Sequence, residues 1–482
     1  MSTVGAQRDL VADDRARAGR WLWLALASLG LAGVLASGLV FARMPVLATL
    51  VTDPAFFKRC LVVHVDLALV VWFHAFAAAL FAFVPSRMPS NVIARHGTVI
   101  AAFGMAFMLL AAGVNGARPI LANYVPVIDH PLYVIGLGAV GLGLAATILD
   151  VKLLPGAEAP LGPFSLPPAS IVALRTAGIC ILLALATFVS TAIAVPAGLS
   201  PEAYWELVMW GGGHVLQFAS VAAMLAVWTV LLAQVLGHSP IDRGAATTLC
   251  LLLATPLLAA PLLPLFGPTT AAYHKSFTRL MQFGIAPPVL AWLVISVRAL
   301  ARSNRAGELS AEAKKSGAFL GFFTSAALTV AGFGLGASIR GPNTVIPAHY
   351  HASIGAVTVA FMAVTVPLLT AVGYASPSRR VLALSRVQPV MLGVGQLIFA
   401  IGFALAGAHG MRRKAYGGEQ QIRTWAEWIG LGVMGIGGLV AVAGGVLFLV
   451  VVFAMWRGRQ VRDGSTQRGD AWLRLPSTRF NA

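Results

Sequence analysis

The sequence predicts an all-α integral membrane protein, a twelve-transmembrane-helix bundle with both termini cytoplasmic. Three observations predict it. Of 482 residues, 58% are hydrophobic and 11% charged, whereas soluble domains carry about 25% charged residues. Apolar runs of about 20 residues, the length that crosses a hydrocarbon core, recur along the chain. Lys and Arg gather in alternate connections, as they do on the cytoplasmic side of a membrane.

In order, the apolar runs lie at roughly 21–42, 60–84, 97–116, 131–149, 170–195, 203–236, 244–266, 280–300, 317–338, 348–374, 388–408 and 428–455. Residues 1–20 form a polar, mixed-charge cytoplasmic segment (Arg8, Asp9, Asp13, Asp14, Arg15, Arg17, Arg20). Run one lacks a small-residue cleavage site and reads as a retained helix rather than a signal peptide. Basic residues follow the even-numbered runs: Arg87 and Arg95, Lys152, Arg243, Arg302 to Lys315, Arg379 to Arg386, and Arg457 to Arg462. The membrane domain is thus 21–455, and 456–482 is a basic cytoplasmic tail. The net charge of +17 reflects this bias and suits contact with anionic lipid. No groove-reading motif supports nucleic acid as a partner. Cys60, Cys180 and Cys250 sit within or at the end of apolar runs, none in a CxxC, and form neither a disulfide framework nor a metal motif.

Histidines are the residues that stand out. With the N-terminus inside, even-numbered runs begin at the outer face. His64 opens run two, His214 lies in the outer half of run six, His349 and His351 open run ten, and His274 follows the outer end of run seven. Five imidazoles from separate parts of the chain therefore converge on one layer of the membrane. Ionisable groups at such depth are costly and mark function, and imidazole is the commonest metal ligand. Residues two apart on a helix point about 200° away from each other, so His349 and His351 can serve two different metals on opposite faces. His74, about 280° round from His64 and about 15 Å deeper, reads as a packing residue.

These residues resemble subunit I of the heme-copper oxidase superfamily, which includes cytochrome c oxidases and related nitric oxide reductases, over about residues 20–455. The resemblance rests on His64 opening run two, "HYH" in run ten, "WGGGH" in run six and "GMRRKAY" between runs eleven and twelve. It implies two hemes. His64 and His351 would ligate a low-spin heme and His349 a high-spin one; His214 would hold a second metal, copper or iron. Arg412 and Arg413 would bind heme propionates. The arginines also have an independent argument: cations in an outer loop oppose the charge rule, and Arg offers bidentate bonds to carboxylates. His409, just before them, is a candidate partner of a propionate.

The sequence also departs from that pattern. Most such oxidases end segment seven in adjacent histidines that complete the second-metal site. Here "AYHKSF" offers His274, with Tyr273 or Lys275 in the remaining position. A Tyr–His–His set favours iron over copper. The usual tyrosine four residues after the run-six histidine is Phe218. Acids within the apolar runs are confined to Asp66 and Glu206, near outer ends, so a conventional chain of buried acids from the cytoplasm is not written in this sequence. Water and the hydroxyls of Thr187, Ser190 and Thr191 could substitute for it in part. The functional expectation is the catalytic subunit of a respiratory terminal reductase in a bacterial cytoplasmic membrane. Electrons from a cytochrome c or copper-containing subunit would pass through the low-spin heme to the binuclear centre and reduce oxygen, other oxidase subunits assisting. Nitric oxide reduction, or a polytopic transporter without heme, are the alternatives.

Overall fold

A computed structural model describes residues 3–42, 44, 54–86, 88–154, 166–415 and 420–458. The basic tail beyond 458, Arg87, and Tyr416 of the arginine motif lie outside the described residues. Twelve helices are long and apolar enough to cross a membrane, and the chain is an integral membrane protein. Spans 1 to 6 are Val11–Phe41, Ala55–Phe81, Val92–Ala112, Pro131–Ile148, Pro168–Ala194 and Pro201–Leu236. Spans 7 to 12 are Arg243–Phe266, Ala271–Arg305, Gly317–Ala337, Val345–Ala371, Arg379–Ala408 and Trp425–Arg457.

Polar side chains at the starts of the spans fix where helices begin. Asn91, Ser200, Asp242, Thr270, Ser316 and Ser378 each accept a hydrogen bond from the third amide that follows, which satisfies one of the orphan N–H groups of the first turn. Thr424 and Glu427 form a reciprocal capping box on span 12. Three boundaries differ most from the sequence expectation, one of them span 11, whose helix starts at Arg379, nine residues before its apolar run. The first helix starts at Thr3 and includes the polar start, because Asp14 and Arg17 find buried partners. Span 8 starts at Ala271, nine residues before the apolar run. Its first helix, Ala271–Gly284, is amphipathic and capped by Thr270, and Pro287 and Pro288 begin a second, Ala286–Arg305. His274 is therefore on the first turns of span 8. Span 7 ends as a 3₁₀ stretch, Thr255–Phe266, interrupted by Pro261 and Pro264, since proline removes the i→i−4 bond.

Spans 6 and 10 are buried over most of their length, whereas spans 3, 7 and 8 are about one-third buried. The histidine-bearing spans 6 and 10 thus form the centre, and the outer spans turn Leu, Phe and Ile to lipid. Trp72, Trp228 and Phe361 are fully buried between them, with Phe76 and Phe361 stacked at 4.5 Å. An even number of crossings returns both termini to one end of the bundle. The starts of spans 2, 6, 8 and 10 lie at the opposite end, with a small antiparallel pair, β1 (Arg118–Ile120) and β2 (Val127–Asp129).

Glycines set the closest helix pairs. In spans 11 and 12, a Cβ added at Gly395, Gly402 or Gly437 would meet the backbone of the facing helix, the close approach that small residues permit in membranes. Gly402→Leu is therefore expected to separate spans 11 and 12, at a cost of about 1–3 kcal/mol. Gly432→Leu, whose added atoms meet nothing within 4 Å, is expected to be silent. Thermal unfolding in detergent distinguishes them; equal midpoints for the two variants would contradict the packing.

Candidate functional site

Four of the five expected histidines, His274 among them, hold Nδ1 against a backbone carbonyl. The Nδ1 of His64 lies 2.9 Å from Ala32 O, that of His349 2.7 Å from Gly332 O, and that of His214 2.7 Å from Trp210 O. A carbonyl can only accept, so Nδ1 carries the proton and Nε2 keeps its lone pair. This is the tautomer a ligating histidine needs; His74 and His409 hold Nδ1 in the same way, against the carbonyl four residues before. Two of the carbonyls come from neighbouring spans, whereas Trp210 lies one turn before His214 on the same helix. Ala32 belongs to span 1, and Gly332 to span 9, where Gly336 leaves room for the His349 ring: a Cβ there would stand 2.9 Å from it. His351 lies on the other side of span 10, its ring 4.3 Å from Phe399 and 6.2 Å from Phe403 of span 11. The two histidines of "HYH" thus face different neighbours, one toward span 9 and one toward span 11. Beyond His64, a π-helical turn, Leu67–Val71, interrupts span 2, a feature that often accompanies functional sites. Beside it Tyr133 donates to Asp66 Oδ2 at 2.7 Å, while Asp66 Oδ1 is buried with no partner.

The neighbourhood of His214 is aromatic. Trp210 stands between His214 and His274, its ring 4.7 Å from the first and 4.9 Å from the second, and its buried indole N–H has no partner. The three glycines of "WGGGH" explain the close packing. An added Cβ on Gly211 would meet the Tyr273 hydroxyl and Phe277, on Gly212 the Phe188 ring, and on Gly213 the side chain of Tyr124. Phe218 packs one turn further on, against Gly284.

The structure separates the candidates around His214. Tyr273 is buried, but its hydroxyl donates to Leu207 O at 3.2 Å and lies 3.4 Å from Thr191 Oγ. Lys275 is exposed. His274 holds its Nδ1 3.1 Å from Thr270 O. The phenol that does reach His214 belongs to Tyr124, whose hydroxyl is 2.9 Å from His214 Nε2. Sequence reasoning missed Tyr124, since it sits in a connection between spans 3 and 4 and no spacing relates it to a residue 90 positions later. Burial raises the Tyr124 phenol above its ordinary pKa, opposed by the nearby Arg413 guanidinium.

Arg413 donates to Asn123 Oδ1 at 3.0 Å. The Asn123 backbone amide donates to Glu206 Oε2 at 3.0 Å, and its side-chain amide also binds Glu206. Lys414 donates to Leu121 O, and burial lowers its pKa, with Glu206 opposing. Arg412 is exposed and pairs through its backbone with Asn343. His409 is exposed and bonded back to Leu405 O. His74 is buried with Nδ1 on Val70 O. Thr187 and Thr191 donate to carbonyls of their own helix, as buried membrane hydroxyls commonly do.

Donor chemistry decides what these residues fit. Nδ1-anchored histidines at His64 and His349, with His351 against aromatic rings, fit iron porphyrins, which take one or two imidazoles each. Beside His214 the Tyr124 hydroxyl is an oxygen donor within reach of Nε2, so an ion there would take one nitrogen and one oxygen from these two side chains.

No family model matches the chain. A Rickettsia prowazekii protein with no assigned function is 23% identical over 498 residues, covering 90% of this chain and 94% of that protein. Another, from Aquifex aeolicus, is 27% identical over 358 residues, covering 73% and 85%. Among solved structures, a heme-copper terminal oxidase dimer determined by cryo-EM is similar, with a TM-score of 0.69 at 17% identity, covering 96% of this chain and 86% of that one. With twelve spans in that arrangement, the chain has the fold of subunit I of a heme-copper terminal oxidase.

Proposed function

We propose that the chain is the heme-binding catalytic subunit of a membrane oxidoreductase of the terminal-oxidase type, with oxygen as electron acceptor. The observation that carries it is the set of Nδ1-anchored histidines on spans 2, 6 and 10, with His349 and His351 directed to different neighbours. His64 and His351 hold one heme, His349 holds the other, and His214 faces a second metal. When bound, these groups supply the electron transfer and the binding of the acceptor. The chain supplies the orientation. Carbonyls of Ala32, Gly332 and Trp210 fix the imidazole planes, and the apolar spans exclude water. Arg412 and Arg413 place positive charge at the site end of the bundle, suited to propionates. Membrane lipid surrounds the spans. A cytochrome c or copper-containing subunit delivers electrons, with further oxidase subunits, in a bacterial cytoplasmic membrane with both termini inside.

A second reading, nitric oxide reduction, is favoured by one observation: the group on His214 Nε2 is a phenol and not an imidazole, and a hard oxygen donor suits iron. Purified protein is expected to show two hemes per chain, one low-spin and one high-spin, and to consume oxygen from a reduced donor. Consumption of nitric oxide alone would select the second reading. Absence of heme would overturn both and favour a transporter.

A further inference from the structure

No sequence motif marks the loop that crosses His214, yet it is built onto span 6 with several bonds. Arg118 of β1 pairs with Glu202. Trp205 Nε1 donates to Asp129 Oδ1 of β2 at 3.0 Å, and Glu206 receives both amides of Asn123. Residues 202, 205, 206, 210 and 213 follow helical spacing along one face, so the loop runs down that face to His214. Two described non-glycine residues have positive φ, Tyr124 at 70° and Lys414 at 62°. Both belong to this assembly, joined through Leu121, Asn123 and Arg413. Such backbone persists only where surrounding contacts hold it, and it clusters at functional sites.

We propose that Tyr124 supplies the oxygen donor of the second-metal position beside His214, in place of a further histidine. The inference deepens the proposed two-heme reading and rests on it. The hydroxyl and His214 Nε2 stand 2.9 Å apart. Two donors bound cis to one ion at about 2.0–2.1 Å are separated by about that distance. Gly213 is the residue that admits the Tyr124 side chain, and the unpartnered, buried Trp210 N–H lies beside the same position. Tyr273 is tied to Leu207 and Thr191 and takes no part. Binding replaces the phenol proton by the metal and releases the proton to solvent. A phenolate oxygen favours iron over copper.

The test uses oxidised, purified holoprotein. In wild type, ring-deuterated tyrosine is expected to shift a metal–phenolate stretching mode. Tyr124→Phe keeps the ring and its packing; it is expected to lose that mode and to weaken second-metal binding by at least about 10–100-fold, while both heme spectra remain. Tyr374→Phe, at the opposite end beside Trp23, is expected to change neither. An unchanged metal-to-heme ratio in Tyr124→Phe overturns the proposal, as does transfer of the loss to Tyr273→Phe. Should Tyr124→Phe fail to retain heme, the wild-type label decides alone, and absence of a deuterium-sensitive mode overturns the proposal. Wild type with two hemes and no further metal overturns the Tyr124 assignment only; wild type without heme overturns the two-heme reading itself.

Discussion

Replacing either His64 or His351 with Ala is expected to abolish the sharp reduced low-spin heme band while a high-spin heme stays on His349. The two residues come from spans 2 and 10 and are far apart in sequence, so a shared loss of one band requires that both bind the same iron. The expected loss is complete because low-spin six-coordinate iron needs both strong axial nitrogens. His64 is oriented by Ala32 O of span 1, and His351 is walled by Phe399 and Phe403 of span 11. Neither substitution touches the Gly332 carbonyl that holds His349. Reduced-minus-oxidised spectra of the two variants, with heme counted per chain, check this. An intact low-spin band in both would dismiss the pairing.

At the opposite end of the bundle, Arg17→Met is expected to lower stability by about 3–5 kcal/mol, the usual consequence of removing one partner from a buried ion pair. Arg17 donates to Asp150 Oδ2 at 2.9 Å and to Asp14 at 3.1 Å, and it also binds Ser90. Lys152 donates to Asp14 Oδ2 and to Val84 O, each at 2.8 Å. Arg17 and Lys152 are each 1% exposed, so their charges have little water to fall back on. Burial lowers the Lys152 pKa, with Asp14 opposing. Removing Arg17 leaves Asp150 Oδ2 without its cation, while the amides of Asn91 and Val151 still donate to Oδ1. The double variant Arg17→Met with Asp150→Asn removes both charges and is expected to recover most of the loss. Thermal unfolding in detergent measures it; a single-variant cost below about 1 kcal/mol, the level of an exposed pair, would contradict this account.

Particular residues show where the sequence was legible. The twelve spans are written in apolar length, a local property, and the structure has the same twelve in the same order. Their ends were less legible at 271, where an amphipathic helix capped by Thr270 precedes the apolar part of span 8, and at the N-terminus, where Asp14 and Arg17 look like solvated charges until their partners are known. The histidines could be picked out because imidazoles in the first half of even-numbered apolar runs stand apart from their uncharged surroundings. "WGGGH" could be picked out as a pattern, but not the reason for its glycines, each of which makes room for an aromatic ring from a different element.

By itself the sequence determined the membrane class and the number and order of spans, because hydrophobic length acts within one segment. Tertiary structure alone decided which side chains meet. Arg17 finds Asp150 across 133 positions, Tyr124 finds His214 across 90, and Arg413 finds Asn123 across 290. A hydrogen bond depends on atoms within about 3 Å, and no periodicity in a chain encodes which distant loop will be folded to that range.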